Sequence, residues 1–182
     1  KKAQVPTYFG FVECKMTQGG RITERRITDS GIKMYEAIIN NDRKARQELL
    51  LSAIEKMIFG RNNGGCISSE SDIDAPNLII RCILDTGFCT SKEYAYMVWN
   101  LNDNGKKYFK SLAEIISARS RGGIVLPSNI PDYTDWKPIL ALVRWGFLIK
   151  ADDEVQKILI HPDVIDQYAE RLNKIKVYNV DK

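Results

Sequence analysis

The sequence predicts a mainly helical α+β fold in which small β-hairpins lie between helices. Apolar residues recur at the three- and four-residue spacing of a helix in several segments, and two segments rich in β-branched and aromatic residues are each divided by a turn. Hydrophobic residues make up 44% of the 182 residues, so the chain can bury a core. The formal net charge of +4 is mildly basic and does not by itself indicate a partner.

The first predicted element is a β-hairpin over residues 8–28. Residues 8–15 are rich in aromatic and β-branched side chains, a Gln-Gly-Gly sequence turns the chain, and residues 21–28 alternate isoleucines with polar side chains. Thr28 begins a group of side chains whose oxygens can cap a helix. The helix that follows carries apolar residues at helical spacing, namely Ile32, Tyr35, Ile38 and Ile39.

A second helix is predicted after Asp42, whose carboxylate can cap it, and it ends before Gly60. Its apolar residues form one wide face, which consists of Leu49, Leu50, Ala53, Ile54, Met57 and Ile58. Residues 61–74 are rich in Asn, Gly, Ser and acidic residues, a composition typical of a loop. The sequence therefore predicts a first unit over 1–60, a linker over 61–74 and a second unit over 75–182.

The second unit is predicted to start with three helices. The first helix stops at Gly87, and the second begins with a capping box formed by Thr90 and Glu93. The third starts near Lys106 and ends around 121–123. We expect its inward face to carry Phe109, Leu112, Ile115 and Ile116.

A fourth helix, a second hairpin and a last helix complete the predicted order. The helix covers 136–144, strands at 146–150 and 155–160 flank an acidic turn, and Pro162 opens the last helix. A helical trio followed by a two-stranded wing is the winged-helix plan. We therefore predict tandem winged-helix-like units, the first one truncated at its N-terminus because its hairpin lacks the helices that would precede it.

The sequence predicts no catalytic or metal-binding centre. Glu13 and Lys15 form an E-x-K pair at the end of a strand, as in many Mg²⁺-dependent nucleases, but Mg²⁺ needs further carboxylates and none precedes Glu13. The acidic residues at 70–74 do not follow the spacing of a calcium loop, and His161 is the only histidine. We expect no small-molecule cofactor. An active nuclease in which Glu13 joins distant acids remains an alternative.

The cysteines and the absence of long apolar segments predict a soluble, cytoplasmic chain. The four cysteines have no CxxC spacing, so we expect reduced thiols. No segment reaches the roughly 18 apolar residues of a membrane helix, and the first residues have no apolar core of the signal-peptide kind. We therefore expect no membrane contact.

Positive charge lies mainly in two blocks, residues 1–60 and 92–121. Arginine forks and helix N-termini bind phosphates, so we expect both blocks to contact double-stranded DNA, with Tyr108 and Ser111 beside the lysines of the third helix. A basic helix face can also be a merely solvated face. The predicted DNA-binding residues are Arg21, Arg25, Arg26, Arg43, Lys44, Lys106, Lys107, Lys110, Arg119 and Arg121.

Several short motifs occur in a characteristic order along the chain. They are Gly10-Phe11-Val12, Ile27-Thr28-Asp29-Ser30-Gly31-Ile32, Ile73-Asp74-Ala75-Pro76, Thr90-Ser91-Lys92-Glu93-Tyr94 and Arg144-Trp145-Gly146-Phe147-Leu148. In this order they resemble the DNA-recognition region of the AlwI and BstNBI group of type IIS restriction and nicking endonucleases. The resemblance spans nearly the whole chain, although each motif is short.

This resemblance implies sequence-specific binding of a short, asymmetric DNA site. In that family a separate C-terminal domain of the PD-(D/E)xK type cuts DNA with Mg²⁺, and we expect that domain to be absent from this chain. The parent protein is then a type II site-specific deoxyribonuclease, and this chain is not catalytic by itself. The alternative function is a winged-helix transcription regulator or a protein-interaction module, which an exposed apolar stripe on the last helix would favour.

Overall fold

The structure, a computed structural model, describes residues 4–18, 21–57, 74–102, 107–128, 137–151 and 156–177. It confirms a mixed α+β class with two small antiparallel hairpins. In chain order the elements are α1 (Gln4–Tyr8), β1 (Val12–Met16), β2 (Ile22–Ile27), α2 (Asp29–Ile39), α3 (Arg43–Glu55), α4 (Ala75–Thr86), α5 (Ser91–Asn102), α6 (Tyr108–Arg119), α7 (Lys137–Arg144), β3 (Leu148–Lys150), β4 (Ile158–Ile160) and α8 (Pro162–Leu172).

The first hairpin is present, but it begins later than the sequence predicts. β1 pairs with β2 from Val12 opposite Ile27 to Met16 opposite Ile22. Residues 8–9 were expected to be extended, and this is wrong, because Tyr8 closes α1. The turn after α1 needs Gly10, whose φ is 75°, in the left-handed region that glycine adopts without strain.

Local side-chain caps start the next two helices, as the sequence predicts. Thr28 Oγ1 accepts from the Gly31 amide at the start of α2, and Asp42 Oδ1 accepts from the Ala45 amide at the start of α3. The buried side of α2, however, consists of small and flexible residues, Gly31, Met34 and Ala37. Its larger apolar side chains are exposed, and these are Ile32, Tyr35, Ile38 and Ile39.

The connection between α4 and α5 has the predicted helix end and capping box, and it also contains a strand contact that was not predicted. Gly87 ends α4 with φ of 85°, and the capping box is formed by bonds from Glu93 N to Thr90 Oγ1 (3.2 Å) and from Thr90 N to Glu93 Oε2 (2.9 Å). Between them, Cys89 pairs with Ile158 of β4 through two backbone hydrogen bonds of 3.0 and 2.8 Å. Cys89 therefore extends the second hairpin to a third, one-residue strand.

The helix–hairpin–helix arrangement occurs twice in the chain. The first copy consists of α1, β1, β2 and α2, and the second copy consists of α7, β3, β4 and α8. Gly10 and Gly146 turn the chain into the two hairpins with φ of 75° and 76°. The amide of Thr28 donates to Phe11 O at 3.1 Å, and the amide of His161 donates to Phe147 O at 2.9 Å. Phe11 and Phe147 are thus equivalent positions of an internal structural repeat.

The hydrophobic core is continuous between the two copies of the repeat. The ring of Phe9 meets Trp145 edge to face, with ring centroids 5.8 Å apart. Gln47 Nε2 donates to Gly146 O at 2.7 Å, so α3 is bonded to the turn that opens the second hairpin. Of the predicted linker 61–74, only Asp74 lies within the described residues, where it is buried.

Cysteine chemistry differs from the expectation of four reduced thiols. Cys14 is disulfide-bonded, so the expectation is wrong for this residue, whereas Cys82 and Cys89 are free and buried. Among the described helices, none combines the length and the apolar character that a bilayer span requires.

Candidate nucleic-acid interface

Nine of the ten predicted DNA-binding residues lie within the described part of the chain, and Lys106 lies outside it. The structure distributes the nine over three places: the first hairpin, the start of α3, and α6 with the residues directly before and after it. Their roles differ because some guanidinium groups are held by internal partners.

The first hairpin has a face on which opposite charges pair across the strands. Arg26 Nε lies 2.9 Å from Glu13 Oε1, and Lys15 Nζ lies 2.8 Å from Glu24 Oε2. The hydrogen bond and charge of Lys15 lower the pKa of Glu24. Since Glu13 faces Arg26, the E-x-K pair belongs to a neutral ladder of exposed ion pairs. Among the described residues, no group of three or more His, Cys, Asp or Glu side chains could hold a metal ion.

Two hairpin arginines remain exposed without an ion-pair partner among the described residues. Arg25 lies opposite Cys14 on the other face of the hairpin, next to the Val12–Ile27 pair. Arg21 lies at the tip, where its backbone is bonded to Thr17. These two guanidinium groups are therefore available to an anionic ligand.

At the start of α3, some basic residues are bonded to other parts of the fold and others are free. Arg43 Nη2 bonds to Asp163 Oδ2 at 2.7 Å and its aliphatic part runs close to Gly146. Arg46 donates to the backbone oxygens of Ala37 and Trp145. Both arginines hold α3 against the rest of the fold. Lys44 is exposed and has no ion-pair partner in the described part of the chain.

Helix α6 is rotated relative to the sequence-based expectation. The expected inward positions of Phe109 and Ile116 are wrong, because these side chains are 60% and 50% exposed. Tyr108 and Ser111, expected beside the DNA, are buried. Tyr108 Oη donates to Asp85 Oδ2 at 2.8 Å, and burial together with this bond raises the pKa of Tyr108. The buried face of α6 comprises Tyr108, Ser111, Leu112, Ile115 and Ala118.

Arg119 is turned inward at the end of α6. Its guanidinium binds both carboxylate oxygens of Glu93, at 2.7 and 2.9 Å, and donates to the backbone oxygens of Thr86 and Phe88. It also lies 3.7 Å from the centroid of the Phe88 ring. Because these partners occupy the guanidinium, we leave Arg119 out of the candidate interface. The sequence placed Glu93 in a predicted capping box but gave no signal that Arg119 would be its partner.

The exposed side of α6 borders a groove of about 650 Å³. Lys110 and Arg121 line it, and its other wall is formed by Gly123, Ile124 and Val125. The groove also contains one carboxylate, Glu114, which accepts a 2.7 Å hydrogen bond from Tyr96 Oη. We call this feature the α6 groove and define it by Tyr96, Lys110, Ala113, Glu114, Ser117, Ala118, Arg121, Gly123, Ile124 and Val125.

The α6 groove was not predicted as a unit, although it joins two predicted residues. Its second wall forms because Gly122 and Gly123 adopt φ of 97° and 101° and turn the chain back along the helix. The sequence showed this Gly-Gly pair as a helix terminator, but not the direction the chain takes afterwards. Lys107, exposed at the N-cap of α6, adds a third cation at the helix start.

The arrangement can bind an anion along α6 and at the tip of the first hairpin. Among the described residues, none of these exposed cations has an ion-pair partner, and Glu114 in the α6 groove accepts a hydrogen bond from Tyr96. The sequence matches no protein-family model, and comparisons with curated proteins and with solved structures also give no match.

Proposed function

We propose that this chain binds double-stranded DNA in a sequence-specific manner, as the recognition part of a type IIS restriction endonuclease, through two winged-helix-like units. The order of elements from α4 to β4 supports the winged-helix interpretation, since three helices and a short fourth precede a hairpin. The strand contact of Cys89 with β4 adds to this likeness by attaching the hairpin to the helical trio.

The observation that carries the proposal is the set of unpaired cations along the exposed side of α6. Lys107, Lys110 and Arg121 follow one another along the helix and past its end, and none has an ion-pair partner among the described residues. Glu114, the acid in the same groove, is engaged by Tyr96. The N-terminal end of α6 has no side-chain cap, so its first amide groups add positive potential beside Lys107. Phosphate groups are the ligands that such a surface favours.

The first hairpin supplies a second, smaller set of cations. Arg21 and Arg25 are exposed and Lys44 lies at the start of the nearby α3. Wings of this kind contact the DNA backbone or the minor groove when a helix of the same unit reads the major groove. We assign no cleavage to the described residues, because Glu13 is bound by Arg26. In the proposed parent enzyme, Mg²⁺ serves a separate cleavage domain.

The decisive experiment is selection from a randomised duplex pool, performed with the purified chain in Mg²⁺ at two salt concentrations. We expect enrichment of a short asymmetric site and no cut ends. The affinity for that site is then measured for Lys107→Ala/Lys110→Ala against the control Lys174→Ala/Lys176→Ala, which removes two exposed lysines that follow α8. The first variant should bind about 10-fold or more weakly, and its salt slope should fall by about 1 for each phosphate group that the variant no longer neutralises.

Two outcomes would overturn the proposal. Absence of any enriched sequence, with no duplex affinity at low salt, would exclude DNA binding. Equal affinity losses in the α6 variant and in the control that follows α8 would show non-specific attraction by net charge and would remove α6 from the interface.

A protein-interaction role has one specific observation in its favour, but not on the last helix. In α8, Val164 and Leu172 are buried, and Ile165 is its large exposed apolar side chain. The exposed apolar stripe lies on α2 instead, beside the first hairpin.

A further inference from the structure

The exposed side of α6 carries apolar residues as well as cations. Phe109 and Ile116 are 60% and 50% exposed, and Ala113 is exposed between them. Together with Lys110 and Ser117 they occupy positions i, i+1, i+4, i+7 and i+8, which lie on one side of a helix. We call these five residues the outer face of α6. Lys110, Ala113 and Ser117 also line the α6 groove, so the outer face and the groove adjoin.

The ring of Phe109 is held in position on this face. It meets the ring of Tyr108 edge to face, with ring centroids 5.4 Å apart. Tyr108 is itself buried and donates to Asp85 Oδ2 at 2.8 Å, and Asp85 also binds Arg81. An exposed side chain that is already held by its neighbours loses little conformational entropy when a ligand covers it. Phe109 is therefore preorganised for contact with a ligand.

The cations around the outer face favour DNA over a protein as the ligand that covers it. Lys107 lies at the N-cap of α6, Lys110 lies within the helix, and Arg121 follows its end; none of the three has an ion-pair partner among the described residues. A protein partner would have to leave these charges in water or neutralise each of them. In DNA, phosphate groups border the major groove on both sides, and that groove, about 12 Å wide, admits an α-helix.

The side chains of the outer face limit what it can recognise inside the major groove. Base edges there present hydrogen-bond donors and acceptors, which arginine, lysine, asparagine, glutamine and the acidic residues recognise. Of these residue types the outer face contains only Lys110. Its one hydroxyl group, on Ser117, already accepts a hydrogen bond from Arg121 at 3.3 Å. The remaining three side chains are apolar, so the outer face is suited to an apolar group on a base edge.

Thymine presents such a group in the major groove, its C5-methyl, which alanine and phenylalanine side chains contact in protein–DNA complexes. We propose that the outer face of α6 enters the major groove and recognises thymine by contact of Phe109 and Ile116 with this methyl group. Ala113, between them, lets the helix backbone approach the base edges closely. The inference rests on the proposed function, because it requires that the chain binds double-stranded DNA, and it adds the base that α6 recognises.

The test compares thymine with uracil, which lacks the methyl group and keeps the same hydrogen-bonding atoms. The purified full chain first selects its site from a randomised duplex pool, and each thymidine of the enriched site is then replaced singly by deoxyuridine. Fluorescence anisotropy at one salt concentration measures the affinity for each duplex. We expect at least one replacement to weaken binding about fourfold, the effect of removing one buried apolar carbon from a contact.

Two variants assign this loss to the outer face. Phe109→Ala and Ile116→Ala should each bring the ratio of the thymine and uracil affinities close to 1 at the position that the side chain contacts. Both side chains are exposed, so the fold should remain intact. Ile165→Ala is the matched control, because it removes an exposed apolar side chain from α8, and it should leave the ratio at about fourfold. The ratio compares two duplexes with the same protein, so a change in the folded fraction does not affect it.

Failure of this inference and failure of the proposed function give different results. Duplex binding that tolerates every uracil replacement, an enriched site without thymine, or discrimination that survives both α6 variants would overturn thymine recognition and leave DNA binding in place. Absence of affinity for any duplex would overturn both, and the outer face of α6 would then be assigned to a protein partner.

Discussion

The guanidinium of Arg119 and the carboxylate of Glu93 form a two-point contact, with Nε–Oε1 at 2.7 Å and Nη2–Oε2 at 2.9 Å. Glu93 is almost completely buried, and its Oε2 also accepts the Thr90 amide of the capping box. The end of α6 is thereby joined to the start of α5 and to the carbonyl groups at and just after the end of α4. Arg119, which the charge pattern predicted on a DNA surface, thus connects three helices.

Replacing Arg119 should therefore destabilise the fold. Arg119→Met keeps much of the side-chain volume but leaves Glu93 buried without its cation, and we expect a loss of about 3–5 kcal/mol in the free energy of unfolding. Urea unfolding measures this loss. Arg121→Ala is the control, because Arg121 is exposed, and it should change stability by less than about 0.5 kcal/mol.

For DNA binding, we expect Arg121 to matter more than Arg119, the reverse of their order in stability. Arg121→Ala removes a cation from the α6 groove, so we expect weaker duplex binding and a salt slope reduced by about 0.9. Arg119→Met, studied at a temperature at which it is still folded, should keep the slope of the unchanged chain. Fluorescence anisotropy over a series of salt concentrations gives both slopes. A slope reduced in Arg119→Met but not in Arg121→Ala would contradict the assignment.

Asp74 should make stability fall as the pH rises. Burial raises the pKa of Asp74 to about 6 in the folded chain, and its side chain gives α4 no capping bond. Because the folded pKa lies above the unfolded value of 3.8, the stabilising contribution is complete below about pH 4 and is lost as the pH rises through 6. At about pH 7.5 the free energy of unfolding is therefore lower by roughly 3 kcal/mol, because the pKa rises from 3.8 to about 6 and each pKa unit corresponds to about 1.4 kcal/mol.

Asp74→Asn isolates this contribution, since the amide is neutral at every pH used. We expect the variant to exceed the unchanged chain in stability at about pH 7.5 and to lose that advantage at about pH 4. Chemical unfolding at the two pH values measures the difference. An advantage of equal size at both would show that ionisation of Asp74 has no part in it.

Gly31 should be the least replaceable glycine among those whose surroundings the structure describes. A Cβ at this position would lie 2.0 Å from Phe11 O and 2.8 Å from Ile27 Cγ1, so Gly31→Ala must push α2 away from the first hairpin. We expect a loss of about 3 kcal/mol or more. Gly87→Ala is the matched control: its φ is +85° but its surroundings are open, and the backbone strain costs about 1–2 kcal/mol. Thermal unfolding of both should rank them in this order.

The features that sequence reasoning predicted well depend on residues close together in the chain. The caps Thr28 and Asp42 and the Thr90–Glu93 box act within three residues, so their side-chain chemistry is sufficient to place helix starts. The pairing of Cys89 with Ile158 depends on the packing of α4 against β4. No local pattern carries that information.

The predicted buried face of a helix was wrong where apolar residues occur on more than one side of that helix. In α6, Phe109 and Tyr108 are both aromatic, and the buried one is Tyr108, which lies on the same stripe as Leu112 and Ile115 and donates to Asp85. In α2, the close approach of Gly31 to Phe11 O turns the small residues inward and leaves the isoleucines outside. For the candidate site, exposure of most basic residues was predictable, but the internal partners of Arg43 and Arg119 were not.

The bonds from α3 to the second hairpin have a geometric consequence for the proposed DNA binding. In α3, Gln47 bonds to Gly146 O, and Arg46 bonds both to Ala37 O of α2 and to Trp145 O, so α3 connects the two copies of the repeat directly. If both copies of the repeat contact one duplex, these bonds fix the distance between the two contacted stretches of DNA. Each base pair inserted between the two contacted stretches shifts one of them by about 3.4 Å and rotates it by roughly 35° about the helix axis. Under the proposed function, the two copies of the repeat would therefore recognise the length of the DNA site as well as its sequence.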